Sequence, residues 1–368
     1  MTRSIPPFRA DHVGSLLRPA TLKEARARRE RGEISAADLR AAEDAAIQRI
    51  VARQAEIGLR SATDGEFRRA MWHFDFLEHL DGVESFRSDH GIAFKGGIQT
   101  QAKGLRVTGK LGFSTHPMIE HFRFLREHTE ATPKMTIPSP SVLHFRGGRR
   151  AVSPDVYPDM DDFYRDLALA YRGAVEAFAG AGCRYLQLDE VNLAYLCDPE
   201  QRALLRERGD DPDRLPGIYA DMINTAIGNR PADMIVTMHL CRGNFRSSWI
   251  AQGGYEPVAE ILFNQIGVDG YFMEFDTERA GGFEPLQFVP KNKTVVLGLV
   301  TSKSGTLESA ADLERRIEDA SRYVGLQQLC LSPQCGFAST EEGNILSEGE
   351  QWAKLARIVE VARTVWDE

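Results

Sequence analysis

Eight short β-prone segments recur along the chain, near residues 12, 62, 136, 187, 237, 272, 297 and 330, mostly with helical stretches between them. This alternation restricts the fold more than any other feature. Thr294-Val295-Val296-Leu297-Gly298-Leu299-Val300 is apolar throughout, so both its faces need cover. Strands of that kind, alternating with helices, belong to a parallel sheet. Eight such units predict an α/β fold, a closed (β/α)8 TIM barrel forming one domain over residues 1–368. A doubly wound open sheet is the competing architecture, but no Gly-x-Gly-x-x-Gly follows the first segment.

Thr21 is expected to cap a helix over 22–32, ended by Gly32, and a longer helix is expected over 36–57. Other helices are expected over 118–128, 161–180, 199–208, 217–227, 256–266, 307–323 and 349–366. Residues 67–80 carry Trp72, His73, Phe74, Phe76 and His79 and read as a core-facing helix, with a pocket wall as the alternative. Residues 139–158 read as a loop. Residues 82–115 break the alternation, with glycines between β-prone pieces, and predict an inserted β-hairpin excursion.

Composition narrows the function classes. The chain is 42% hydrophobic and 27% charged, with a net charge of −8 spread over short alternations. That balance disfavours partners that need a basic face, so no nucleic acid and no anionic membrane are expected. No signal-peptide core and no membrane-length apolar run is present. Five cysteines, an odd number in a long chain, do not make a disulfide framework. A cytoplasmic protein with reduced thiols is expected.

In a (β/α)8 barrel, chemistry gathers at the C-terminal ends of the strands. Those ends carry Gly14-Ser15, Glu66, Asp189-Glu190, His239 with Cys241, Glu274, and Cys335. His239 and Cys241 stand two apart, and side chains two apart on a strand share a face. His239, Cys241, Glu274 and Cys335 supply four donors suited to Zn²⁺. Two thiolates and a carboxylate leave such a centre about one net negative charge. An electron-rich centre of this kind suits activation of an incoming thiol, whereas water-activating sites usually keep more neutral ligands. Glu66 and Asp189 are placed to pair with an ammonium, and the Gly14-Ser15 turn to hold a carboxylate. Each acid has an ordinary alternative as a salt-bridge partner within the barrel. Cys183, Cys197 and Cys330 read as small packing residues.

Taken together, these stretches resemble the cobalamin-independent methionine synthase family, specifically its C-terminal catalytic barrel. The resemblance is carried by His-Val-Gly-Ser at 12–15, Asp-Gly-Glu at 64–66, Glu-His-Leu-Asp-Gly at 78–82 and Gln-Leu-Asp-Glu at 187–190. It continues through His-Leu-Cys at 239–241, Met-Glu-Phe at 273–275 and Ser-Pro-Gln-Cys-Gly at 332–336. It implies zinc on His239, Cys241, Glu274 and Cys335, and homocysteine held by Ser15, Glu66 and Asp189. The implied reaction moves a methyl group from a methylated tetrahydrofolate to the homocysteine thiol, giving methionine; a methylcorrinoid is the other donor considered.

The chain departs from that family at three points. It has no room for the second barrel of the long synthases. Pro138-Ser139-Pro140 stands where the family has a tryptophan that stacks on the donor. Lys303, in Thr301-Ser302-Lys303-Ser304, stands where the family has a histidine implicated in protonating the leaving group, which makes Lys303 a catalytic candidate. The chain thus resembles the short, single-barrel branch. Competing readings are alkyl transfer to another thiol, as in epoxide:coenzyme M transferases, and a non-catalytic zinc barrel. Closed structural zinc sites usually cluster as Cys-x-x-Cys pairs, unlike ligands spread from 239 to 335. Self-association as a homo-oligomer is left open.

Overall fold

The computed structural model describes residues 3–367. Its strands are β1 (Ser61–Ala62), β2 (Asp81–Arg87), β3 (Lys103–Gly112), β4 (Thr132–Pro133), β5 (Met135–Pro138), β6 (Tyr185–Glu190), β7 (Ile235–Leu240), β8 (Gly270–Glu274), β9 (Thr294–Val300) and β10 (Leu329–Pro333). Strands β5 to β10 form one parallel sheet in sequence order. All residues of β5, β6, β8, β9 and β10 are buried, as two covered faces require. On one side, β4 runs through Lys134 into β5 and pairs in parallel with β1.

The eighth stave, near residue 12, is not the regular strand expected. It makes a single parallel bridge, Ala10 to Leu331, with Asp11 N–H donating to the Leu331 carbonyl at 3.1 Å and Leu331 N–H to that of Arg9 at 2.8 Å. On its far side it is tied mainly through side chains. Ser61 Oγ donates to Asp11 Oδ1 at 2.9 Å, and Thr63 Oγ1 to the Gly14 carbonyl at 2.6 Å. Buried polar side chains here take over bonds that a regular ladder would make, and they close the (β/α)8 barrel.

Helices Ala36–Glu56 and Glu348–Trp366 each open on a capping box, from Ser35 with Asp38 and Ser347 with Glu350. The first helix starts two residues earlier than expected, at Ala20, behind Pro19 rather than on a Thr21 cap. Two others are shorter than expected: Ala259–Asn264, and Ala310–Ser321 with its cap at Ser309. The expected loop over 139–158 contains the helix Ser141–Gly147 and a 3₁₀ turn, Gly148–Ala151. Pro140 stands directly before Ser141, and proline is tolerated just ahead of a first turn.

The largest correction concerns residues 67–80, of which only Phe74–Leu77 is helical. Both oxygens of Asp75 accept backbone N–H groups, from Ala70 and Met71, each at 2.9 Å. That capture holds the preceding stretch out of a helix and turns Trp72 and His73 elsewhere.

The excursion over 82–115 is a hairpin of antiparallel β2 and β3, with Val83 opposite Val107. Gly82 sits at φ +80, and a Cβ there would lie 2.5 Å from the Gly109 carbonyl oxygen, so glycine is required. The hairpin tip folds down over the barrel mouth. Lys95 N–H donates to the Trp249 carbonyl at 2.8 Å, Ser248 Oγ donates to the Lys95 carbonyl at 2.6 Å, and the Phe94 and Phe245 rings lie 5.3 Å apart. Among the described residues, no helix is long and apolar enough to cross a membrane.

Candidate metal centre and its cavity

Strand β7 delivers His239 and ends at Leu240, so Cys241 follows on the same face. Glu274 is the last residue of β8, and Cys335 lies two residues past β10. One ligand atom from each of these four residues lies within 4.8 Å of all the others, and all four residues are buried. Cys241 Sγ and Cys335 Sγ are 3.5 Å apart. Zinc bonds of about 2.0–2.3 Å in a tetrahedron place donors roughly 3.3–3.8 Å apart, so the thiol pair already has suitable spacing.

The surroundings orient each donor. His239 Nδ1 donates to the Phe272 carbonyl at 3.3 Å, while Nε2 is buried without a hydrogen-bond partner. A carbonyl can only accept, so this bond protonates Nδ1 and aims Nε2 at the cluster. Gly243 N–H turns back onto Cys241 Sγ at 3.3 Å. Gly243 has φ +95, and a Cβ there would lie 2.8 Å from Ile250 N. Glu274 Oε1 accepts from Arg242 N–H at 2.9 Å, and Oε2 lies 3.2 Å from Arg279 Nη2.

The proton balance distinguishes these thiols from the rest. Cys335 is held well below the ordinary thiol range, first by the hydrogen bond from Cys241 and then by the His239 ring, against the effect of burial. Cys241 moves the opposite way as that bond's donor. Burial is the largest single effect on His239 and disfavours its charge, but Cys335, Asp189 and Glu274 together outweigh it and the net shift is upward. Without an ion, the cluster therefore stores protons that a metal would displace. Cys183, Cys197 and Cys330 behave as packing residues: burial pushes their thiols up to about 12, 11 and 12. The unpartnered Nε2, the thiol spacing and the soft donor set fit a zinc ion.

Beside the cluster, a small cavity reaches Ser15, Glu66 and Asp189 as well as His239, Cys241 and Cys335. Asp189 Oδ1 accepts from Gln187 Nε2 at 2.7 Å. Glu66 Oε1 accepts from Thr136 Oγ1 at 3.0 Å, and Glu66 Oε2 is buried without a partner. Burial, reinforced by the neighbouring Glu66 charge, pushes Asp189 up to about 7; burial also raises Glu66, against the pull of Arg69. Two acids with raised pKa values in one cleft favour a cationic guest.

Ser15 Oγ accepts from Ala338 N–H at 3.3 Å, which leaves its own O–H free to donate. Gly14, at φ +142, lets the chain pass Thr136, and a Cβ there would meet Thr136 Cγ2 at 2.7 Å. Gly14→Ala is expected to cost about 1–3 kcal/mol in chemical denaturation through strain and overpacking. Stability equal to wild type would show that the turn is not constrained.

Lys303 does not line this cavity. Its Nζ is buried without a hydrogen-bond partner, and its charge favours the thiolate of both Cys241 and Cys335.

The cavity is also lined by residues outside the set of strand-end candidates. Met71, Trp72 and His73 line it, as do Ile92, Phe94 and Thr100 from the hairpin tip, and Arg146. His73 is fully buried with both ring nitrogens unpartnered. For Trp72 and His73 the structure takes the pocket-wall alternative over the core-facing helix. Ile92, Phe94 and Arg146 carry no signal in the sequence, because only the folded hairpin and the Ser141–Gly147 helix bring them to the mouth.

Comparison with known proteins agrees with this architecture. The family model described as "Cobalamin-independent synthase, Catalytic domain" matches residues 8–364. The chain is 52% identical to the uncharacterised protein YxjH of Bacillus subtilis, over 98% of this chain and 95% of that one. It is 24% identical to a methionine synthase of Pyrococcus abyssi, over 98% and 94% respectively. A crystal structure of a putative vitamin-B12-independent methionine synthase from Listeria monocytogenes superposes with a TM-score of 0.80, at 45% identity and 100% coverage of both chains. With a family match from residue 8 to residue 364, the chain belongs to the cobalamin-independent synthase catalytic-domain family.

Proposed function

We propose that this protein is a zinc-dependent methyltransferase that methylates the thiol of homocysteine to give methionine. The reading is carried by one arrangement: two thiols, an imidazole and a carboxylate within 4.8 Å of one another, of which His239, Cys241 and Cys335 line the same cavity as the acid pair Glu66 and Asp189. His239, Cys241, Glu274 and Cys335 would hold the zinc, which when bound lowers a thiol's pKa from about 8.5 and leaves its sulfur nucleophilic.

The chain's own residues then position the amino acid. Glu66 Oε2, with no partner of its own, and the Asp189 carboxylate receive the ammonium. Binding that cation favours their charged forms and offsets the burial that raises both pKa values. Ser15 O–H donates to the guest carboxylate. A sulfonate thiol without an amine would leave the acid pair unmatched, which favours an amino-acid thiol.

The donor side is walled by Trp72, His73, Phe94, Tyr195 and Phe245. Aromatic walls beneath a pinned hairpin suit a flat methylated heterocycle of the folate type better than a corrin ring. A relative from Synechococcus, 23% identical, is named 5-methyltetrahydropteroyltriglutamate–homocysteine methyltransferase; this chain covers 41% of it. We place the reaction in the cytoplasm, where the five free cysteines stay reduced.

The test is proton release. Homocysteine added to zinc-loaded protein in weak buffer near pH 7 should release about one proton per site more than homoserine does, because a thiol mostly protonated at that pH binds as its anion. Homoserine should release only what its ammonium displaces from the Glu66 and Asp189 pair, about one proton fewer. Equal release from both, or none from either, would remove the thiol-activation reading.

A further inference from the structure

We infer that Arg279 is a positioning residue for the metal centre: its guanidinium competes with the metal for Glu274 and makes that carboxylate the most weakly held of the four ligands. This rests on the metal reading above.

Glu274 differs from the other three donors in being already engaged on both oxygens. Oε1 takes the Arg242 N–H at 2.9 Å, and Oε2 faces Arg279 Nη2 at 3.2 Å. His239 Nε2, by contrast, has no hydrogen-bond partner, and the two sulfurs face chiefly each other. Nor is Arg279 a loose surface chain. Its side chain is 9% exposed, the same Nη2 lies 3.2 Å from Asp276 Oδ1, and its guanidinium stands 4.9 Å over the Trp249 ring. Its carbonyl accepts from Gly253 N–H at 2.9 Å, which pins the backbone as well.

A guanidinium stays charged in proteins, so this is a fixed positive charge one contact away from the ion's site. It draws on the same carboxylate that the ion would use. Electron density given to Arg279 is withheld from the metal, as outer-shell partners commonly do in tuning a ligand. The arrangement also gives Glu274 a resting place. A carboxylate that loosens its hold on the metal here is not stranded as an unpaired buried charge.

The experiment is zinc affinity, measured by competition with a chromogenic chelator on the full-length protein. Arg279→Gln should bind zinc roughly tenfold more tightly: the size is that of outer-shell changes, and the sign is opposite to the usual loss because a competing cation is removed. Arg279→Lys, which keeps the charge, should stay near wild type. In a Glu274→Gln background, Arg279→Gln should change affinity by less than about threefold, since the route through the carboxylate is gone. Unchanged or weaker zinc binding in Arg279→Gln overturns the proposal. So does full tightening that persists in the Glu274→Gln background, which would show a charge acting directly on the ion. If Arg279→Gln does not fold, Asp276→Asn gives the reading instead: it leaves Arg279 wholly to Glu274 and should weaken zinc several-fold, and no weakening overturns the role. Wild-type protein that binds no zinc defeats the metal reading itself before any variant is compared.

Discussion

Cys335→Ser is expected to leave a folded barrel that no longer retains zinc through purification and has no methyltransferase activity. Serine matches the shape, so the packing cost stays within the ordinary range of about 0.5–3 kcal/mol. The chemical loss is much larger. The variant removes a soft anionic donor and the acceptor of the Cys241 hydrogen bond. A hydroxyl offers no anion at neutral pH to replace it. Outer-shell changes alone shift metal affinity about 10–100-fold, so losing a direct ligand should exceed 100-fold. Metal content by elemental analysis, with circular dichroism as the fold control, decides it. Stoichiometric zinc in the purified variant would show that the ligand set is wrong.

The second large effect is expected at Asp189, and it runs in opposite directions for binding and for stability. Asp189→Asn should weaken homocysteine binding by about tenfold or more, through loss of a charged partner to the ammonium, with little change in zinc content. Unaltered affinity would end the proposed role. The same substitution should stabilise the metal-free, unliganded protein at alkaline pH. Burial, reinforced by Glu66, raises Asp189 from 3.8 to about 7.

For a carboxyl raised on folding, the folded state holds its proton more tightly than the unfolded chain does. The wild type therefore loses stability as pH rises from about 4 to about 7, and the loss is complete above that. Linkage sets an upper bound of about 4 kcal/mol, and relaxation together with sharing of the shift with Glu66 should reduce the observed value to about 2 kcal/mol. Asparagine cannot ionise and escapes this loss. Melting curves of both proteins should coincide near pH 4 and diverge by pH 8, with the variant more stable. Parallel curves across that range would show that Asp189 is solvated or paired in the free protein.

The two expectations express one trade-off: an acid held where its charge is poorly tolerated binds a cation well and destabilises the empty fold. The raised Glu66 beside it has the same character, and its unpartnered Oε2 is the visible trace.

The sequence alone was enough for the barrel and for the roster of strand-end residues. Strands that are buried on both faces have to be apolar throughout, so His239, Glu274 and Cys335 stand out against their neighbours. Period-two geometry then puts His239 and Cys241 on one face without any knowledge of the fold. What the pattern could not supply was anything that depends on side chains capturing backbone. Asp75 holds residues 70 and 71 out of a helix, and the stave at residue 10 makes only one bridge because its polar side chains take over its bonding. Local propensity describes neighbours in the chain, and these bonds are decided by neighbours in space.

The same limit applies to the cavity. Ile92 and Phe94 become a wall only because Lys95 is pinned to Trp249 and Ser248, more than 150 positions away in the chain. The pairing of Glu274 with Arg279, five residues on, was within reach of the sequence as a spacing but not as a contact. Residue types and their periods determined which atoms could do chemistry in this protein. Only the closing of the barrel and the folding down of its hairpin decided how far apart those atoms stand, which of them lack partners, and how deeply they are buried.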